Sequence, residues 1–238
     1  MLGEQTELVI DGHKRSAGTF AAIAFQLAQN DHVRLAHHMH AVGPLLAAAR
    51  RKLPILVVVR EPQPTILSAF LRDPRVTPRQ WLKTYADFYE SLAPYRDRFV
   101  VATFEEVTSD FGAVTRRVND RFETAFRGFE HTPDNVQAVF GLIDERTAGR
   151  PWQPHLNLFI SGLISADEYR AVTEEFRDVD TQVGHRVAEL RVSRPSRQRE
   201  TPKQEALERY LAPGLDHLRR RAEHAYRAFA YEGVAQWS

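Results

Sequence analysis

One apolar run, Leu53 to Val59 (LPILVVV), does most to narrow what this chain can become. Polar and apolar residues do not alternate along it. A strand of that kind is buried on both faces, like the central strand of a parallel sheet whose faces are covered by helices. The expectation is an α/β fold. The run stops abruptly at Arg60, Glu61 and Pro62. Charge at the carboxyl end of a central parallel strand lies where open α/β sheets bind their ligands. Pro62 and Pro64 predict a tight turn, followed by a helix over Thr65 to Leu71 that carries Ser68. Arg60 offers a forked, permanently charged donor suited to a phosphate, and a helix hydroxyl one or two turns on closes the other side. A helix cap beside a surface arginine has the same pattern.

A second stretch, Leu8 to Ala28, reads as strand, small-residue loop and helix. Leu8, Val9 and Ile10 form the strand, and Gly12, His13, Lys14, Arg15, Ser16, Ala17 and Gly18 the loop. The alanine-rich segment from Thr19 and Phe20 to Ala28 is the helix. The amides at a helix start point outward, and the helix dipole adds partial positive charge there. Small side chains let backbone approach an anion, and Lys14 and Arg15 add full charges. An ordinary turn with two solvated bases is the other reading. The loop is not a Walker A sequence, because Gly18 is followed directly by Thr19 and the bases precede Ser16.

The order base, Ser, small residue, Gly, Thr, aromatic in Arg15 to Phe20 resembles the 5′-phosphosulfate loop of sulfotransferases, with Ala17 where that family has glycine. The strand Val57-Val58-Val59, then Arg60-Glu61-Pro62, then Ser68 eight positions after the arginine, resembles the family's 3′-phosphate motif. The resemblance covers residues 7–120 well and 140–190 weakly. It implies a three-layer α/β/α, P-loop NTPase-like domain with a parallel sheet. It also implies transfer of a sulfuryl group from 3′-phosphoadenylyl sulfate (PAPS), without a metal, to a hydroxyl or amine of a small-molecule or carbohydrate acceptor. Residues 15–20 would take the 5′-phosphosulfate, and Arg60 and Ser68 the 3′-phosphate. The family's late Arg-Lys-Gly loop, followed shortly by Trp, resembles Arg146, Gly149 and Trp152 loosely and with different spacing; an exposed basic turn suits them equally.

Three histidines fall within four residues, at His37, His38 and His40, after a short strand expected at His32 to Leu35. A metal site, a general base near neutral pH and a polar loop are all open from the residues alone. The resemblance implies a base, His38 first and His40 second, because the family's second strand ends in Lys-Thr-His. The family lysine is absent, which leaves its sulfuryl contact to Lys14. A divergent P-loop small-molecule kinase and a noncatalytic nucleotide-binding module are the alternatives. The missing Gly-Lys-Ser/Thr weighs against the kinase.

The remaining expectations are brief. Helices are expected over Val42 to Lys52, over Trp81 to Leu92 with an aromatic stripe, over 109–119, and from a capping box at Ser165–Glu168 to about Leu190. A strand is expected at Phe99 to Phe104, a loop at 72–80, and little regular structure over 120–165. The main domain should span 1–192, with a polar linker at 193–203 and a helical extension at 204–238. That extension is interrupted at Pro213-Gly214 and either packs on the domain or pairs two chains as a homodimer. The Arg219-Arg220-Arg221 cluster reads as a solvated helix face. The 238 residues carry a formal net charge of +1 and no cysteine. That gives no global field toward nucleic acid, no disulfide and no thiolate chemistry. No run is long enough to span a bilayer and no signal-peptide pattern is present, so a cytoplasmic protein is expected.

Overall fold

The computed structural model describes residues 2–148, 152–180 and 200–231. Four parallel strands form one sheet in the order β2-β1-β3-β4: β1 (Leu8–Gly12), β2 (Leu35–His37), β3 (Ile55–Val59) and β4 (Val100–Thr103). Eleven α-helices accompany them among the described residues. The architecture is α/β. Strand geometry sends alternate side chains to opposite faces, and the core divides accordingly. Val9, Ile55, Val57, Val59 and Val101 meet α2 (Val42–Arg50), α3 (Pro62–Arg72), α4 (Pro78–Leu92), α10 (Glu200–Tyr210) and α11 (Asp216–Tyr231). Leu8, Ile10, Leu56, Val58, Val100 and Ala102 meet the other face's helices. These are α1 (Gly18–Ala28), α5 (Phe104–Ser109), α6 (Phe111–Phe122), α7 (Pro133–Ala148), α8 (Gln153–Ile160) and α9 (Ala166–Asp180). The uninterrupted apolarity of β3 is explained: all five of its residues are buried, shared between two cores.

Chain order reverses beside β1. The chain leaves it to one side for β2, then returns past it to β3 on the other. The carboxyl ends of β1 and β3 therefore flank a topological switch point, the usual ligand crevice of an open α/β sheet.

Several boundaries differ from expectation. The second strand is Leu35–His37, because Leu35 and Ala36 are the residues that pair with Leu8 and Val9 and are buried. Helix α3 begins earlier, at Pro62, since proline suits the first helical turn. Helix α4 takes in part of the expected loop, its start fixed by a capping box in which Thr77 Oγ1 accepts from Gln80 N. Residues 120–165 are more regular than expected and supply α7 and α8. The Ser165–Glu168 capping box is present and opens α9, described to Asp180, so residues 181–190 lie outside the described residues. Of the expected linker, 200–203 belong to α10, and 193–199 are outside the described residues.

The C-terminal helices complete one core. Leu215, Leu218 and Tyr226 are buried there, and Leu207 packs at its margin, whereas Leu211 is exposed. Arg221 is not merely solvated: its guanidinium joins Asp87 and Glu90 of α4, tying α11 to that helix.

Candidate functional site

The loop after β1 is anchored from below. Gly12 lies so close to β3 that a Cβ there would stand 2.2 Å from the Val58 carbonyl oxygen. His13 turns inward, 6% exposed, edge-on to the rings of Trp81, Tyr85 and Phe88. Burial lowers its pKa to about 4. The Tyr89 hydroxyl sits beneath the loop. It donates to the Val58 carbonyl at 3.1 Å, accepts from His13 N at 3.3 Å and lies 3.5 Å from Ser16 Oγ. The aromatic stripe of α4 is thus core, and it is also the floor of the loop.

Above this floor the backbone turns through left-handed conformations at Arg15 (φ 73°) and Ala17 (φ 71°). Ala17 therefore adopts the conformation that glycine reaches without strain. It is the N-cap of α1 and supplies no capping side chain. The first intrahelical bond runs from Ala21 N to Ala17 O, so the amides of Gly18, Thr19 and Phe20 precede the helix ladder and face its open end.

Segments remote in sequence meet here. Arg15 Nε donates to Ser68 Oγ at 2.9 Å, and Arg60 Nη1 donates to the Arg15 carbonyl at 3.3 Å. The Arg60 guanidinium lies 4.0 Å from the centre of the Phe104 ring, and Tyr85 donates to the Arg60 carbonyl. Burial lowers the Arg60 pKa from its ordinary value, and the nearby charges of Glu105 and Glu61 oppose that shift only in part. Not every residue of the expected loop site turns toward the crevice. Ser16 is buried against Tyr89, and Phe20 is buried against Phe129 and Phe140, so each can offer the crevice only backbone. Lys14 extends over Trp81, with its ammonium 5.5 Å from the ring centre.

The histidines bracket the start of α1. His38 Nε2 lies 2.8 Å from Thr19 Oγ1 and accepts from Arg146 Nη1 at 2.8 Å. Arg146 also reaches Thr19 Oγ1, at 3.5 Å. Guanidinium nitrogens only donate, so the His38 proton belongs on Nδ1, which faces His37 Nδ1; His37 Nε2 in turn lies 3.3 Å from Ser161 Oγ. Burial, then the charge of Arg146, lowers His38 to about 2 and His37 to about 4. His40 is held differently: its Nδ1 faces the Gly12 carbonyl oxygen at 2.8 Å. Both His38 and His40 have left-handed backbones, with φ 56° and 47°.

Arg146, on the last turn of α7, thus joins the site, while Gly149 lies outside the described residues. Trp152 is structural: its indole donates to Glu145 and its ring packs beside Phe176. Among the described residues no group of three or more His, Cys, Asp or Glu side chains is placed to hold a metal ion. Nor is any helix among them long and apolar enough to cross a membrane. A cleft of about 520 Å³ opens elsewhere, between Gln63 of α3 and the α10–α11 corner; its Arg219 is already engaged by Asp216 and by the Tyr210 and Ala212 carbonyls.

Sequence reasoning missed Asp11, Tyr85 and Tyr89. Asp11 had a visible signal, an acidic residue at the end of an apolar strand. The tyrosines had none, because helical spacing alone does not tell a core ring from one whose hydroxyl supports a loop. Together the arrangement defines an α/β protein with a donor-rich crevice at the switch point of its sheet. Comparisons with family models, curated proteins and solved structures find no match to this chain.

Proposed function

We propose that this protein is a sulfotransferase of the P-loop-like kind, moving a sulfuryl group from 3′-phosphoadenylyl sulfate to a hydroxyl or amine of a small-molecule or carbohydrate acceptor. One observation carries the reading: at the switch point Arg15 donates to Ser68 through its guanidinium and accepts from Arg60 through its carbonyl oxygen, so two segments remote in sequence meet there. The donor set suits a polyanion, since two guanidinium groups, a hydroxyl and the first amides of α1 converge there. The bound carrier would supply an activated sulfuryl group and a phosphate leaving group.

The chain's own residues do the rest. Arg15 and the α1 amides stabilise negative charge growing on the leaving phosphate, a task that a preorganised donor set performs well. Arg60 and Ser68 hold the remote 3′-phosphate, and that binding orients the reacting centre. Arg146 and Thr19 close the side beneath His38. A general base works best with a pKa near the operating pH. His38 is far below that range while it accepts from Arg146. His40 is therefore the stronger candidate to take the acceptor's proton, and His38 serves to hold Thr19 and Arg146. Lys14, aimed at Trp81, would have to swing inward to touch the sulfuryl group.

Calorimetric titration with adenosine 3′,5′-bisphosphate tests the reading. Micromolar binding without magnesium is expected. Arg60→Ala should weaken it about 10- to 150-fold, the equivalent of the 1.5–3 kcal/mol of a charge-assisted hydrogen bond. No binding, or equal binding by the variant, refutes the proposal. Magnesium-dependent ATP binding instead would favour a small-molecule kinase.

A further inference from the structure

Asp11 ends an apolar strand yet is 1% exposed. Its Oδ2 accepts two backbone amides, Met39 N at 3.1 Å and His40 N at 2.9 Å. These bonds staple the turn after β2 onto the tip of β1. They do not account for the whole side chain. The other oxygen, Oδ1, is buried without a hydrogen-bond partner among the described residues, and it lies 3.4 Å from His40 Nδ1. Burying a carboxylate is costly unless its interactions repay the lost hydration. Asparagine would serve two amides as well through its carbonyl oxygen, so the staple alone does not require an acid.

The second oxygen is better explained by the ring in front of it. The Gly12 carbonyl accepts only, and so does an ionised carboxylate. Both face His40 Nδ1, at 2.8 and 3.4 Å. The proton must then sit on Nδ1, which leaves the lone pair on Nε2. A carboxylate placed this way fixes the tautomer and orientation of an imidazole and stabilises its protonated form. The ring is half-buried and its centre lies 5.5 Å from that of His38, whose own Nε2 contacts Thr19 at the start of α1. Among the described residues the titratable groups beside His40 are Asp11, His13, His37 and His38, and Asp11 is the acidic one.

We infer that Asp11 is a positioning residue for His40: it holds the imidazole as the Nδ1–H tautomer, which leaves the Nε2 lone pair as proton acceptor. The identity of the proton that Nε2 takes rests on the transfer reading above; the tautomer does not. In that reaction the acceptor oxygen or nitrogen bonds to sulfur as the sulfur–phosphate oxygen bond breaks. The acceptor's proton passes to Nε2, and the electron pair leaves with the phosphate.

The test is long-range nitrogen–proton NMR on ligand-free protein carrying ¹⁵N-histidine, at mildly alkaline pH, with the His40 signals assigned by their loss in His40→Gln. The wild type is expected to show Nδ1–H alone. In Asp11→Asn the side-chain amide should turn its oxygen to the two backbone amides and its NH₂ toward Nδ1. The Nε2–H form should then appear, and turnover should fall about 100-fold, within the usual span of general base catalysis, with nucleotide affinity unchanged. A wild-type Nε2–H tautomer, or an unaltered Nδ1–H state in the variant, overturns the inference. If Asp11→Asn does not fold, the wild-type tautomer decides alone. Failure of the wild type to bind adenosine 3′,5′-bisphosphate would instead strike the transfer reading and leave the tautomer result standing.

Discussion

Acidification should loosen this protein from beneath its loop, and His13 provides the means. Its ring is packed among Trp81, Tyr85 and Phe88, and its pKa falls from 6.5 to about 4, chiefly because burial penalises the cation. The folded state therefore binds a proton later than the unfolded chain. Stability from this residue is complete above about pH 6.5, is lost as pH falls through the interval to about 4, and changes no further below it. A shift of about 2.5 units corresponds to roughly 3.4 kcal/mol in the low-pH limit, of which about 2.4 kcal/mol is lost between about pH 7 and pH 4.5. That is a large share of a typical domain's 5–15 kcal/mol. Urea denaturation at a series of pH values measures it. His13→Phe keeps an aromatic ring in the cage and removes the titration. The variant should lose about 2 kcal/mol less than the wild type over that interval. His37 and His38 shift in the same direction, so some acid sensitivity will remain. Identical pH slopes for wild type and His13→Phe would refute the reasoning.

Two further outcomes follow from the loop's geometry. Ala17→Gly should raise stability by about 0.5–1 kcal/mol, the left-handed penalty of an L-residue less the extra chain entropy of glycine, seen as a rise of roughly 2 °C in Tm; a fall in Tm would contradict it. Gly12→Ala should cost about 3 kcal/mol or more, because its Cβ would meet the backbone oxygen of Val58 rather than a movable side chain. A urea midpoint near that of the wild type would show that β1 and β3 can part at low cost.

Much of the layout could be read before any coordinates. The unbroken apolarity of Leu53 to Val59 marks a strand buried on both sides, and the strand runs over Ile55–Val59 with every residue buried. The sequence pattern assigns Arg15 to a 5′-phosphosulfate loop and Arg60 and Ser68 to a 3′-phosphate motif; in the structure Arg15 bonds Ser68, and Arg60 bonds the Arg15 carbonyl. Where the reading went astray, local signals were weak. Residues 133–148 lack a strong apolar stripe, so a helix there passed as irregular chain. The second strand slipped because Leu35 and Ala36 gain their meaning only by pairing with β1.

The site divides the same way. Residue types and spacing determined that the chain holds small residues, bases and a helix start in the right succession. They could not determine which way each side chain turns. Ser16 faces down to Tyr89 and Phe20 into the core, while Arg146 arrives from a helix far along the chain to meet His38. Those directions are set by contacts between segments remote in sequence, and packing chooses among orientations that local chain geometry leaves equal. The carboxylate of Asp11 is the clearest case. In the sequence it is an acidic residue after an apolar run; only folding brings it against the Met39 and His40 amides and the His40 ring.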